Sequence, residues 1–106
     1  MYTLINGEFL AYAYEAITVA NASIGFTETN YNPALGQTTL RAERAFFTVE
    51  TAAIRYTIDG TTPTTTVGHL LSSGDIVLID GYENIANFRA IRTGGTSASI
   101  KVTYMK

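Results

Sequence analysis

Ile54-Arg55-Tyr56-Thr57-Ile58-Asp59-Gly60-Thr61-Thr62-Pro63-Thr64 decides how this chain is read. Alternation places Ile54, Tyr56 and Ile58 on one face and Arg55 and Thr57 on the other, the period of a strand. Asp59-Gly60 then turns the chain: Gly takes a positive φ without a Cβ clash, and Asp bonds its own backbone. Pro63 has no N–H to donate, so a central strand cannot run through it. The unit is a strand, a hydroxyl-rich turn and a fresh start.

The same unit recurs toward the C-terminus. Val67–Leu71 follows the Thr-rich turn, and Ser72-Ser73-Gly74 turns again. Asp75–Asp80 is apolar at Ile76, Val77, Leu78 and Ile79, which predicts a strand buried on both faces. Gly81–Asn84 forms a turn, and Ile85–Arg92 is expected as a strand. Thr93-Gly94-Gly95-Thr96 carries a hairpin signal. In the last run Ala98, Ile100, Val102 and Tyr104 share one face, with Ser99, Lys101 and Thr103 on the other. Toward the N-terminus, Thr38–Arg44 alternates through Leu40 and Ala42. Ala45–Glu50 puts Phe47 and Val49 opposite Phe46.

No window has convincing helical periodicity. Glu8–Ile17 fits a short amphipathic turn or a strand equally well. Glu15–Ala20 reads as a strand, and residues 21–36 as loop with a short strand at Ile24–Thr27. Residues 1–14 leave two readings open: an arm that packs on a neighbour, or the first strand. About eight short strands with turns every 8–12 residues predict an all-β, antiparallel β-sandwich of jelly-roll or immunoglobulin-like type. Residues 1–106 form one domain on this reading.

Composition bounds the function. The chain has 106 residues, no Cys and one His, so disulfides, thiolate metal sites and multi-His sites within one chain are excluded. The net charge of −2 offers no electrostatic footprint for nucleic acid or an anionic membrane, so neither is an expected partner. No run approaches the ~20 apolar residues of a membrane span. The first residues lack the pattern of a signal peptide, which predicts synthesis in the cytoplasm. Only 15% of residues are charged, and 17 Thr take up much of the difference. A Thr-rich surface of low charge suits contact with another protein, because interface cores are depleted in charge. It also suits an ordinary pleated surface.

Candidate chemistry is thin. His69 lies near Ser72 and Ser73, but no nucleophile elbow surrounds either Ser. Asp59, Asp75, Asp80 and Glu83 could supply oxygen ligands, yet their spacing matches no calcium loop, and Asp at a strand end ordinarily bonds turn amides. No catalytic residue, cofactor or metal site is therefore expected. Arg41, Arg44, Arg55, Arg89, Arg92 and Lys101 fall mostly on strands. They either make ordinary pairs to Glu43 or Glu50 or anchor an interface, where Arg is enriched. Because Phe46 faces away from Phe47 and Val49, one large apolar side is expected outside the core. Tyr12, Tyr14, Arg44 and Phe46 are the candidate interface residues.

Ala53-Ile-Arg-Tyr-Thr-Ile-Asp-Gly-Thr-Thr-Pro-Thr64, then Val67-Gly-His-Leu-Leu71, Ser73-Gly-Asp75, Ile85-Ala-Asn-Phe-Arg-Ala-Ile-Arg92 and Ile100-Lys-Val-Thr-Tyr104, resemble small virion structural proteins of tailed bacteriophages. The match is one of pattern and order over Ala45 to Tyr104, about half of the chain, and residues 1–44 lie outside it. The resemblance implies a non-enzymatic β-sandwich on the capsid surface, a decoration or cement protein. It would be a dimer or trimer, seated on capsomer junctions and bound to the major capsid protein. Arg55 to Thr64 is also similar to a segment of the small β-sandwich modules appended to chitobiase-like enzymes. The alternative function is therefore a carbohydrate- or receptor-binding module of a phage tail or fibre, with Tyr31, Asn32, His69 and Tyr82 holding the sugar.

Overall fold

The computed structural model describes residues 9–34 and 40–106. Seven strands and two short helices follow one another: β1 (Ala11–Val19), α1 (Glu28–Tyr31), β2 (Arg44–Glu50), β3 (Ile54–Thr57), β4 (His69–Leu71), β5 (Ile76–Asp80), α2 (Tyr82–Asn87), β6 (Arg89–Arg92) and β7 (Ala98–Met105). They form a four-stranded sheet in the order β1-β7-β2-β5 and a three-stranded sheet in the order β4-β3-β6. Every named pairing is antiparallel. The all-β sandwich-like architecture is thus the one expected, with seven strands among the described residues where about eight were predicted.

The core lies between the sheets and is largely aromatic. Phe47 of β2, Phe88 after α2, Tyr104 of β7 and Phe26 before α1 are all buried. Phe26 and Phe88 stack with centroids 4.0 Å apart, and Phe47 meets Phe88 edge-on at 5.2 Å. Such pairs add about 0.5–1.5 kcal/mol beyond their burial. The period-two reading of Ala98–Tyr104 holds, with Ala98, Ile100, Val102 and Tyr104 all buried, and Met105 at the strand end is buried as well.

Four expectations are corrected and one open reading is resolved. Ile85–Arg92 is not one strand: residues 82–87 form α2, which buries Ile85 and carries the chain from one sheet to the other. An apolar run this short suits a buried turn of helix as well as a strand. β5 is not buried on both faces. It is an edge strand, with Ile79 buried and Leu78 40% exposed. Residues 40–43 lie outside any strand, and β2 begins at Arg44; residues 38–39 of that predicted strand lie outside the described residues. At the N-terminus, residues 11–14 belong to β1, which resolves Ala11–Ile17 in favour of a strand, and residues 1–8 of the open arm reading lie outside the described residues. The Ile24–Thr27 strand reduces to one antiparallel bridge, Ile24 to Ala90.

The Thr-rich turn does more than reverse the chain. Asp59 Oδ1 accepts the Thr61 N–H at 3.0 Å, and Gly60 has a φ of +90°, as the sequence required. The loop then folds back along β3. Thr57 Oγ1 donates to the Thr61 carbonyl, Pro63 is buried, and Arg55 donates to the carbonyls of Thr65 and Gly68. The Arg55/Thr57 face is therefore covered by the loop. Gly68 closes it with a φ of +120°, and a Cβ there would stand 3.0 Å from the Tyr56 carbonyl oxygen. Gly68→Ala is expected to cost about 1–3 kcal/mol by denaturant titration, from strain and contact together. An unchanged midpoint would show that the loop is not pinned.

Candidate interaction surface

Pairing register builds the outer face of the four-stranded sheet. Tyr14 of β1 sits opposite Thr103 of β7, Thr103 opposite Phe46 of β2, and Phe46 opposite Leu78 of β5. One row thus crosses all four strands. Tyr14 is 62% exposed, Leu78 40%, and Phe46 is half-buried between its neighbours. A second row joins Ala16, Lys101, Thr48 and Ile76.

One ion pair lies beside the first row, and the other joins Lys101 of the second row to Glu50. Arg44 Nε meets Asp80 Oδ1 at 2.5 Å, and Lys101 Nζ lies 3.6 Å from Glu50. The face therefore carries the apolar side chains of Tyr14, Phe46 and Leu78 beside charges that are paired with one another. Such pairs at exposed positions contribute little stability, about 0–1 kcal/mol. Their effect is to compensate the charges of Arg44, Asp80, Lys101 and Glu50 within the face. The other arginines of the strands serve loops: Arg89 donates to Ser23 and Arg92 to Ser97.

At the Arg44 end, two guanidinium groups lie over aromatic rings. Arg44 covers Phe9 and Arg41 covers Tyr82, each 3.9 Å from the ring centroid. With Glu43, Asp80 and Gly81 they line an open cleft of about 670 Å³. Two cations and two carboxylates balance there, so the cleft favours neither anion nor cation.

Of the four candidate residues, the structure brings Tyr14, Arg44 and Phe46 onto one face and turns Tyr12 away from it. Tyr12 shares sequence parity with Tyr14, but a register shift falls between Ala11 and Ala13. An extra residue at a bulge re-aims a side chain. Tyr12 packs on the core and donates its hydroxyl to the Asn30 carbonyl at 2.9 Å. Leu78 belongs to the same surface and was missed, because its apolar run was read as fully buried.

Three of the four candidate acids take separate local partners. Asp59 and Asp75 each accept a turn amide, and Asp80 pairs with Arg44. Among the described residues no group of three or more His, Asp or Glu could hold a metal ion. The sugar-site set is not assembled either. Tyr31 and Asn32 are buried beside Tyr82, whereas His69 is exposed on the other sheet against Tyr56.

One half-buried polar centre escaped the sequence reading. Glu15 points inward from β1 and accepts the Tyr104 hydroxyl, the Thr27 hydroxyl at 2.6 Å and the Thr27 N–H at 3.2 Å. Burial alone would raise its pKa, but hydrogen bonds from Thr27, Tyr104 and Asn30 outweigh it and hold the carboxyl below its ordinary value. Burial first, and then Glu15, push the Tyr104 phenol far above its ordinary value. This network ties β1, β7 and the start of α1 together. Alternation in Ala13–Ile17 would have marked Glu15 as inward-facing, but an inward acid reads as an error until its donors are known.

No protein-family model matches the chain, and neither a curated protein nor a solved structure matches it.

Proposed function

We propose that the chain is a non-enzymatic virion structural protein of a tailed bacteriophage, a decoration protein that binds the major capsid protein through the outer face of its four-stranded sheet. The observation that carries the proposal is the row Tyr14–Thr103–Phe46–Leu78, apolar and exposed at both ends, with its neighbouring charges already paired. An exposed apolar patch with a polar rim is the usual mark of a protein contact. The order of motifs from Ala45 to Tyr104 supplies the virion context. A shell presents many symmetric copies of its subunit, so modest contacts suffice when they are multiplied.

Cosedimentation with empty shells of the phage that encodes the chain tests the proposal. The wild-type protein should pellet with shells and saturate. Phe46→Asp should lose that binding by at least about tenfold, the effect of roughly 1.4 kcal/mol, with an unchanged circular dichroism spectrum. Wild-type protein that stays in the supernatant, or a folded Phe46→Asp that binds normally, would overturn the reading.

A further inference from the structure

We infer that the free edge of β1 pairs with β1 of a second copy, antiparallel about a twofold axis through Ala16. The hydrogen-bond parity of the sheet dictates which backbone groups are free. Val49 of β2 bonds toward the β5 side, donating to Asp75 and accepting from Gly74. In an antiparallel ladder, successive residues point their N–H and C=O groups to opposite sides. Phe46, Thr48 and Glu50 therefore bond to Thr103, Lys101 and Ser99 of β7. The alternate β7 residues, Ala98, Ile100, Val102 and Tyr104, face β1, as the reciprocal bonds between Leu10 and Lys106 also require. Their partners are Val19, Ile17, Glu15 and Ala13. The backbone groups of Tyr14, Ala16 and Thr18 are left pointing away from the sheet.

Among the described residues nothing hydrogen-bonds these groups. The remaining edges are shorter or covered. β6 is bridged by Ile24 and by the Ala20 carbonyl, β4 has three residues, and on β5 the Asp80 carbonyl is taken by Asn84. β1 is nine residues long and carries neither Pro nor Lys. Edges without such guards recruit strands. Its one inward charge, Glu15, is occupied by Tyr104 and Thr27 and guards nothing.

The occupant follows from symmetry. Pairing about Ala16 sets Tyr14 against Thr18 of the second copy, Ala16 against Ala16, and Thr18 against Tyr14. All three free positions are used, giving about six hydrogen bonds, two in each pair. The smallest side chain falls on the axis, and Tyr–Thr is a favourable aromatic to β-branched pair. Glu15 then opposes Ile17, not another Glu15. Shifting the axis to Glu15 would set two carboxylates face to face. Shifting it to Ile17 would need Ala20, whose carbonyl already accepts from Arg92. The product is an eight-stranded sheet that runs through both copies. The inference does not rest on the virion reading.

Sedimentation equilibrium with amide exchange tests it. The wild-type chain should sediment at twice its 11.5 kDa mass. The Tyr14, Ala16 and Thr18 amides should slow on the order of tenfold as the dimer forms. Ala16→Pro removes only an outward donor, so it should give a folded monomer, whereas Ile17→Pro removes a ladder bond and should unfold. If Ala16→Pro fails to fold, exchange in the wild type decides alone. A wild-type monomer at all concentrations with these amides unprotected would overturn the inference. So would an Ala16→Pro dimer, or protection of these amides only when a different protein is added.

Discussion

Phe47→Ala is expected to lower stability by about 3–5 kcal/mol, the range for deleting a fully buried Phe. Phe46→Ala, one residue away, should cost about 1 kcal/mol or less. The difference comes from the pleat. Phe47 is 0% exposed and meets Phe26, Phe88 and Tyr56 with centroids at 6.0, 5.2 and 6.2 Å. Phe46 stands on the opposite side, between Thr103 and Leu78. A domain of this size is held by only about 5–15 kcal/mol, so the Phe47 variant should lose a large share of its stability. Its melting temperature should fall on the order of 20 °C. Urea titrations of both variants against the wild type check this. Equal losses would mean that the two faces of β2 are equally buried, and the surface assigned to Phe46 would then be core.

The second large effect falls on Glu15. Glu15→Ala leaves the Tyr104 hydroxyl buried without its acceptor and frees both Thr27 donors. An orphaned buried hydroxyl costs about 1–3 kcal/mol. Glu15→Gln keeps an acceptor oxygen and should cost less. The two also separate in pH dependence. The folded pKa of Glu15 lies below the ordinary 4.5, so the unfolded chain takes up the proton first as pH falls. The stabilisation is therefore complete above about pH 4.5 and drains away as pH drops through the lower, folded value. The difference in unfolding free energy between wild type and Glu15→Gln should shrink across that window and be flat above it. A difference that grows on acidification would reverse the assigned sign and remove Glu15 as a charged acceptor.

Much of the fold was legible because alternation survives wherever a strand buries one face. The runs in β2 and β7 placed Phe47, Val49, Ala98, Ile100, Val102 and Tyr104 correctly, and Asp59-Gly60 placed the turn. The failures have particular causes. Ile85–Asn87 reads as the start of a strand because it runs on into Phe88–Arg92, but in the structure these residues close a helix that begins at Tyr82, inside the expected turn. β5 reads as buried throughout because its composition does not reveal that it lies at an edge. Tyr12 and Tyr14 share parity in the sequence and part company at a register shift that no residue type announces.

The candidate surface divides in the same way. That Phe46 faces away from the core follows from the spacing of three apolar residues in one strand. That Tyr14, Thr103, Phe46 and Leu78 form one row does not follow, because strand order and register join residues far apart in the chain. What the sequence by itself determined is which face each strand buries, through a local period of two, and where the chain reverses, through Gly, Pro and Asp. Tertiary structure alone decided which strands are neighbours, which strands lie at the sheet edges and which acid meets which hydroxyl. Those outcomes depend on long-range packing of side chains whose partners lie tens of residues away, and local preference carries no record of them.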